Sequence, residues 1–286
     1  MALPFIPSDA GLLALQAAVV AAPRPVPRPA WMERFGGRGW ALVPIGSIVV
    51  VVFAIRYVSD TATGLTDLAL VAVPILAAVG LGWAMRGARP LAALAAIPLF
   101  LLAWLDKNSL VGEGAAALLS ALSCVTLGVL LAAVTPPRWL KAGILLMAAA
   151  DTWLVVSDLL QSPNAALVAA QPPAGLPQLQ SEIFGTVSMG YGDLFVAALL
   201  GAVLASQWRR QREAALLTFA IAAVFDLLFL VISELPATVP VALALLVTEG
   251  WNTASSSWRV RASLQDSGRP LRARTRIPRL RIRRSP

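Results

Sequence analysis

Three aspartates, Asp151, Asp193 and Asp226, lie well inside long apolar runs of this 286-residue chain, and a fourth, Asp158, stands near the end of one. None has a basic residue at comparable depth in its own run. An unpaired carboxylate in hydrocarbon is costly, so such residues ordinarily face a polar interior and mark a function. The chain has no histidine and one cysteine, Cys124. That composition removes disulfides, Cys-ligated zinc and every Ser or Cys nucleophile that leans on histidine. No metal and no cofactor is expected, which leaves carboxylate chemistry. Two carboxyls in one site, one ionised and one protonated, can activate a water and protonate a leaving amine. Hydrolysis of a peptide bond needs that pairing.

The local sequences point to Asp151 and Asp193 as the pair. Asp193 ends Gly190-Tyr191-Gly192-Asp193, a GxGD motif, and runs into the apolar segment Leu194 to Ala205. Glycines there let an extended substrate backbone come close to the carboxylate. Asp151 opens Asp151-Thr152-Trp153-Leu154-Val155 in the preceding run. Further on, Leu235-Pro236-Ala237-Thr238-Val239-Pro240 breaks the chain, since each proline withholds a backbone donor and extends the residue before it. Asp226 has a simpler reading as a hydrogen-bonding contact to a neighbouring helix. Cys124 reads as a small buried apolar residue.

The elements that must position these residues are membrane helices. Hydrophobic residues make up 58% of the chain and charged ones 13%, with a mean hydropathy of +0.76, which excludes an ordinary water-soluble globule. Apolar runs near bilayer-crossing length cover residues 40–58, 66–85, 90–105, 114–134, 142–160, 183–207, 214–233 and 236–250. Residues 4–22 are a ninth candidate, shortened by Ser8 and Asp9, and without the basic start of a cleaved leader. The expected fold is therefore all-α, a polytopic bundle over residues 1–250 with nine spans, or eight if 4–22 do not cross. Basic residues cluster in alternate loops: Arg24 to Arg38, then Arg86 and Arg89, Arg138 and Lys141, and Arg209 to Arg212. Short cytoplasmic loops collect such residues, so the C-terminus is expected in the cytoplasm. The intervening loops, with Asp60, Asp106 and the segment 161–182, are expected outside.

Three features in this order, an Asp, a GxGD and a Pro-Ala corner, resemble the presenilin and signal peptide peptidase family of intramembrane aspartyl proteases. The resemblance rests on residues 142–250. That family has nine spans, with a catalytic Asp in the sixth within a YD motif, a second in the seventh within GxGD, and a PAL motif opening the ninth. With residues 4–22 counted, Asp151, Asp193 and Pro236-Ala237 take those places. Val155, four residues after Asp151, is similar to the family's DxxAV pattern. Ala150 stands where the family has Tyr, and Thr238 where PAL has Leu. The resemblance implies an intramembrane endopeptidase with Asp151 and Asp193 catalytic, and Gly190, Tyr191, Gly192, Pro236, Ala237 and Thr238 holding a transmembrane peptide substrate. The orientation is similar to that of the signal peptide peptidase branch, which implies type II substrates. Depth leaves an alternative first acid. Asp151 lies about 15 Å along the helix from Lys141, and Asp193 about 24 Å from Arg209, whereas Asp158 lies about 25 Å from Lys141.

Two other classes fit parts of the pattern. A proton- or cation-coupled transporter would use Asp151, Asp193 and Asp226 as an ion path. Ser188-Met189-Gly190-Tyr191-Gly192-Asp193 looks like a potassium-channel filter, TVGYGD, with Ser-Met in place of Thr-Val. Prepilin peptidases also carry GxGD, but they have Lys two residues after the Asp, where Phe195 stands here. The formal charge of +8 is concentrated at the end of the chain, where residues 259–286 carry ten arginines against the single acid Asp266. No nucleic-acid partner is expected for the body. Residues 251–286 are expected to be a basic, disordered cytoplasmic tail resting on anionic lipid. An Ala, Arg and Pro bias with few Lys fits a bacterial plasma-membrane protein.

Overall fold

The computed structural model describes residues 7–26, 37–57, 60–157, 159, 165–167, 169–170, 172–185, 187–230 and 235–250. Asp158, Glu234 and the expected tail 251–286 lie outside them. Of the described residues, 80% are helical. The helices are α1 (Pro7–Ala21), α2 (Val43–Tyr57), α3 (Thr61–Val79), α4 (Ala96–Leu105), α5 (Leu110–Val134), α6 (Pro137–Val156), α7 (Tyr191–Leu204), α8 (Trp208–Phe225) and α9 (Val239–Gly250). Three helical stretches are long and apolar enough to cross a bilayer: Thr61–Ala84, Leu110–Val134 and Pro137–Val156. On α3 the apolar residues Leu68, Val71, Ile75 and Val79 are exposed and recur at helical spacing, which is how a lipid-facing stripe reads.

The expectation of an all-α chain is corrected between residues 181 and 190. The apolar run at 183–207 does not begin as a helix. Strands β1 (Ser181–Phe184) and β2 (Val187–Gly190) pair antiparallel, with Phe184 opposite Val187 across a two-residue turn. Gly185 sits there at φ 64°, the left-handed geometry that tight hairpin turns demand. Hydropathy alone does not separate a short buried strand from a helix, and this run holds both. The hairpin is held by a bond from the Gly185 N–H to Glu113 Oε2 at 2.6 Å, and by the Phe184 ring against Gly11 of α1.

Membrane helices pack through small residues and interhelical hydrogen bonds, because lipid offers apolar side chains no less than a partner helix does. That chemistry is visible at the centre, where α5 meets α7 and α3. A Cβ at Gly128 would lie 2.9 Å from the Ala198 carbonyl carbon, and one at Gly80 would lie 2.7 Å from the Leu122 carbonyl oxygen. Thr126 Oγ1 donates to the Leu76 carbonyl at 2.7 Å, tying α5 to α3. Cys124 is fully buried, as expected of a small apolar residue.

The marginal segment 4–22 supplies a central element. Its described part, α1, packs on α7 and α8, with Leu12, Gln16 and Val20 buried. The chain after it is fastened by a polar knot. Gln211 Nε2 donates to the carbonyls of Val20 and Pro23. Its Oε1 accepts from Arg86 at 2.6 Å, and the Arg86 guanidinium also reaches the Ala205 carbonyl and lies over the Trp208 ring. One arginine thus joins the ends of α1, α7 and α8, and every buried polar atom it meets gains a partner.

Candidate functional site

Asp193 owes its position to the start of α7. β2 ends at Gly190, and Tyr191-Gly192-Asp193 is the first turn of the helix. The Asp193 carboxylate reaches back to accept the Gly190 N–H at 3.1 Å, as an acid in the first turn ordinarily does. Tyr191 anchors the turn: its hydroxyl bonds with Ser123 Oγ at 2.7 Å, and its carbonyl accepts from Cys124 Sγ at 3.6 Å. A potassium filter needs a run of carbonyls facing an open pore. Here Ser188 to Gly190 are strand and Tyr191 to Asp193 open α7, and the Tyr191 carbonyl is turned towards α5. Gly192 has open space where a side chain would be.

Asp151 lies near the end of α6, and its partner comes from the Pro-Ala corner. Ala237 and Thr238 form a turn, and α9 begins at Val239, with Pro240 in its first turn, where a missing N–H costs nothing. The N–H groups at a helix start have no intrahelical acceptor. The Thr238 N–H points to Asp151 Oδ2 at 3.4 Å, and the Thr238 hydroxyl donates to the same oxygen at 2.6 Å. Thr238 is buried, so the bond is sheltered from competing water. The residue that departs from PAL is thus the one that grips the aspartate.

These two acids face one cavity. Asp151 and Asp193 line one cavity of about 1000 Å³ and lie close enough for their charges to interact. The same cavity is lined by Gly190, Tyr191, Gly192, Pro236, Ala237 and Thr238, so the residues singled out in the sequence come together. Asp151 is the partner of Asp193 among the described residues, and Asp158 lies outside them. The remainder of the wall is mainly apolar, with leucines and valines from α1, α3, α5 and α6.

Two residues of the wall, Gln16 and Asp9, were not legible as such in the sequence, and a third, Asp226, reads there as a contact to a neighbouring helix or part of an ion path. Gln16 of α1 is buried and donates to the Ala237 carbonyl at 2.9 Å, bracing the corner that holds Asp151. Asp9, one face and two turns before Gln16, lines the cavity too. Asp226, which follows α8 in a short 3-10 turn, lines the same cavity, close enough to Asp9 for the two carboxyls to interact. The signal is the spacing of Asp9 and Gln16 along one face of an otherwise apolar helix, where Asp9 by itself reads only as a residue that shortens a span. No family model matches the chain, and no curated protein or solved structure matches it.

Proposed function

We propose that this cavity is the active site of an intramembrane aspartyl protease, in a chain of nine spans that keeps its C-terminus in the cytoplasm. The observation that carries the reading is that Asp151 and Asp193, from different helices, line one largely apolar cavity beside the Pro236–Thr238 corner, close enough for their charges to interact. Nine spans require that the shorter helices, such as α7 with 14 residues, cross with help from flanking segments or local thinning of the bilayer.

In the mechanism, a water sits between the two carboxyls. The ionised one takes a proton from the water as its oxygen attacks the scissile carbonyl, and the protonated one delivers its proton to the leaving amine. The Thr238 hydroxyl keeps one Asp151 oxygen fixed, which leaves the other for the water. A helical peptide bond is shielded by its own ladder, so the substrate must unwind before attack. β2 runs along the cavity wall straight into the GxGD turn, and an unwound strand can lie against such an edge with its backbone groups paired.

The test is incubation of the purified protein in lipid vesicles with a single-span peptide, with products identified by mass. A cut inside the apolar segment, with one oxygen from solvent water in the new carboxyl, is the expected result. Thr238→Val is expected to lower kcat by roughly 10- to 100-fold with little change in KM, the cost of one hydrogen bond to a charged group. Thr238→Ser is expected to restore most of the rate, and a Val variant with unchanged kcat would remove Thr238 from the mechanism.

One observation favours a second reading. Four carboxyls, those of Asp9, Asp151, Asp193 and Asp226, line the same cavity, as the path of a proton-coupled transporter would. Vesicles that cut no peptide but acidify when a proton gradient is imposed would select it.

A further inference from the structure

Beside the proposed dyad the cavity holds a second acidic pair with no part in the hydrolysis. Asp9 stands in the first turn of α1, and Asp226 stands where α8 gives way to its last, tighter turn. Both side chains are nearly out of contact with solvent, at 6% and 4% exposure. Both line the cavity, and among the described residues no lysine or arginine lines it with them. Asp226 Oδ2 is buried and has no hydrogen-bond partner among the described residues. An orphaned acceptor of this kind is expensive to keep, and a carboxylate one more so than a neutral one.

A ligand that satisfies this oxygen must bring donors and positive charge. A metal ion fits poorly, because oxygen-ligated cations take six or more ligands, and among the described residues no group of three or more acids, cysteines or histidines is gathered. An ammonium or guanidinium needs only two acceptors, and a guanidinium fork suits two adjacent carboxyl oxygens. The wall around the pair is apolar, so the rest of the ligand must be apolar as well. A hydrophobic peptide segment with one basic side chain has that chemistry.

We infer that the Asp9–Asp226 pair is a specificity subsite that receives a single lysine or arginine side chain of the peptide in the cavity. The inference rests on the protease reading of that cavity, and it adds what the enzyme selects. The register follows from α1. Gln16 touches Ala237 beside the dyad, and Asp9 lies two helical turns away, about 10.5 Å along the axis. An extended peptide covers that distance in about three residues. The basic residue therefore sits about three positions from the scissile bond.

Two fluorescent single-span peptides test this, identical except for lysine or norleucine at that position. Binding to the full-length protein in detergent is read by anisotropy, and cleavage is read separately by mass. Wild-type protein is expected to bind the lysine peptide at least about tenfold more tightly, as a charge-assisted bond predicts. Asp226→Asn and Asp9→Asn are each expected to abolish that preference. Equal binding of both peptides to wild-type protein would overturn the subsite, as would a preference that survives in a folded Asp226→Asn protein. Should neither variant fold, a scan of the lysine along the peptide decides on wild-type protein alone: a single optimum supports the subsite, and a flat profile overturns it. A lysine preference without any cleavage supports the subsite while sinking the protease reading.

Discussion

Asp193→Asn and Asp151→Asn are each expected to reduce cleavage of a membrane-spanning peptide by about 10²- to 10⁴-fold, the range that a positioned general acid or base contributes. The two should be alike and should not add, because each removes half of one proton-transfer unit. Asparagine is nearly isosteric with aspartate and still accepts through its amide oxygen. It can therefore keep the bonds that position each side chain, from Thr238 to residue 151 and from the Gly190 N–H to residue 193. Folding is thus expected to survive, as judged by an unchanged melting temperature in detergent. Peptide binding without turnover is the diagnostic combination. If either variant cleaves at the wild-type rate, the dyad assignment fails.

Gly201→Leu is expected to have the second large effect, on assembly rather than chemistry. α7 crosses α1 so closely that a Cβ at Gly201 would lie within van der Waals overlap of the Val20 carbonyl oxygen, which is backbone and has nowhere to move. Overpacking of side chains costs typically 1–3 kcal/mol, and a clash with backbone should exceed about 3 kcal/mol on that scale. The consequence should reach the site, because α1 carries Asp9 and Gln16, and Gln16 braces the corner at Ala237. The expected outcome is a strongly lowered melting temperature, or no monodisperse protein at all. Gly64→Ala on α3 is the control. A Cβ there meets nothing within 4 Å, so the better helix former should leave stability unchanged or raise it by up to about 1 kcal/mol. If Gly201→Leu melts with the wild type, α1 is not packed where it is described.

Much of this was legible in the order of residues. Hydropathy located each described helix to within a few positions at most ends, as with 114–134 against Leu110–Val134, because burial in lipid or core demands an unbroken apolar run. The rarity of acids in such runs singled out Asp151, Asp193 and Asp226, since a buried carboxylate persists only where something requires it. The spacing of GxGD and the Pro-Ala corner was equally plain.

Other features depend on contacts between residues far apart in the chain, which no local pattern encodes. Residues 181–190 pair as a hairpin because Glu113, Gly11 and the Gly185 turn favour strands over a helix that hydropathy would have allowed equally. Asp193 is a helix-start residue as well as a cavity acid, and only the turn at Gly190 reveals both roles. Thr238 looked like a departure from a motif, yet its hydroxyl is what holds Asp151. Asp9 looked like a flaw in a short span, and α1 proves to be a central helix that sets the acid beside Asp226. Sequence by itself determined which groups must leave water, because transfer energies belong to single residues. Tertiary structure decided which of those groups face one another, because pairing energies exist only once helices have packed.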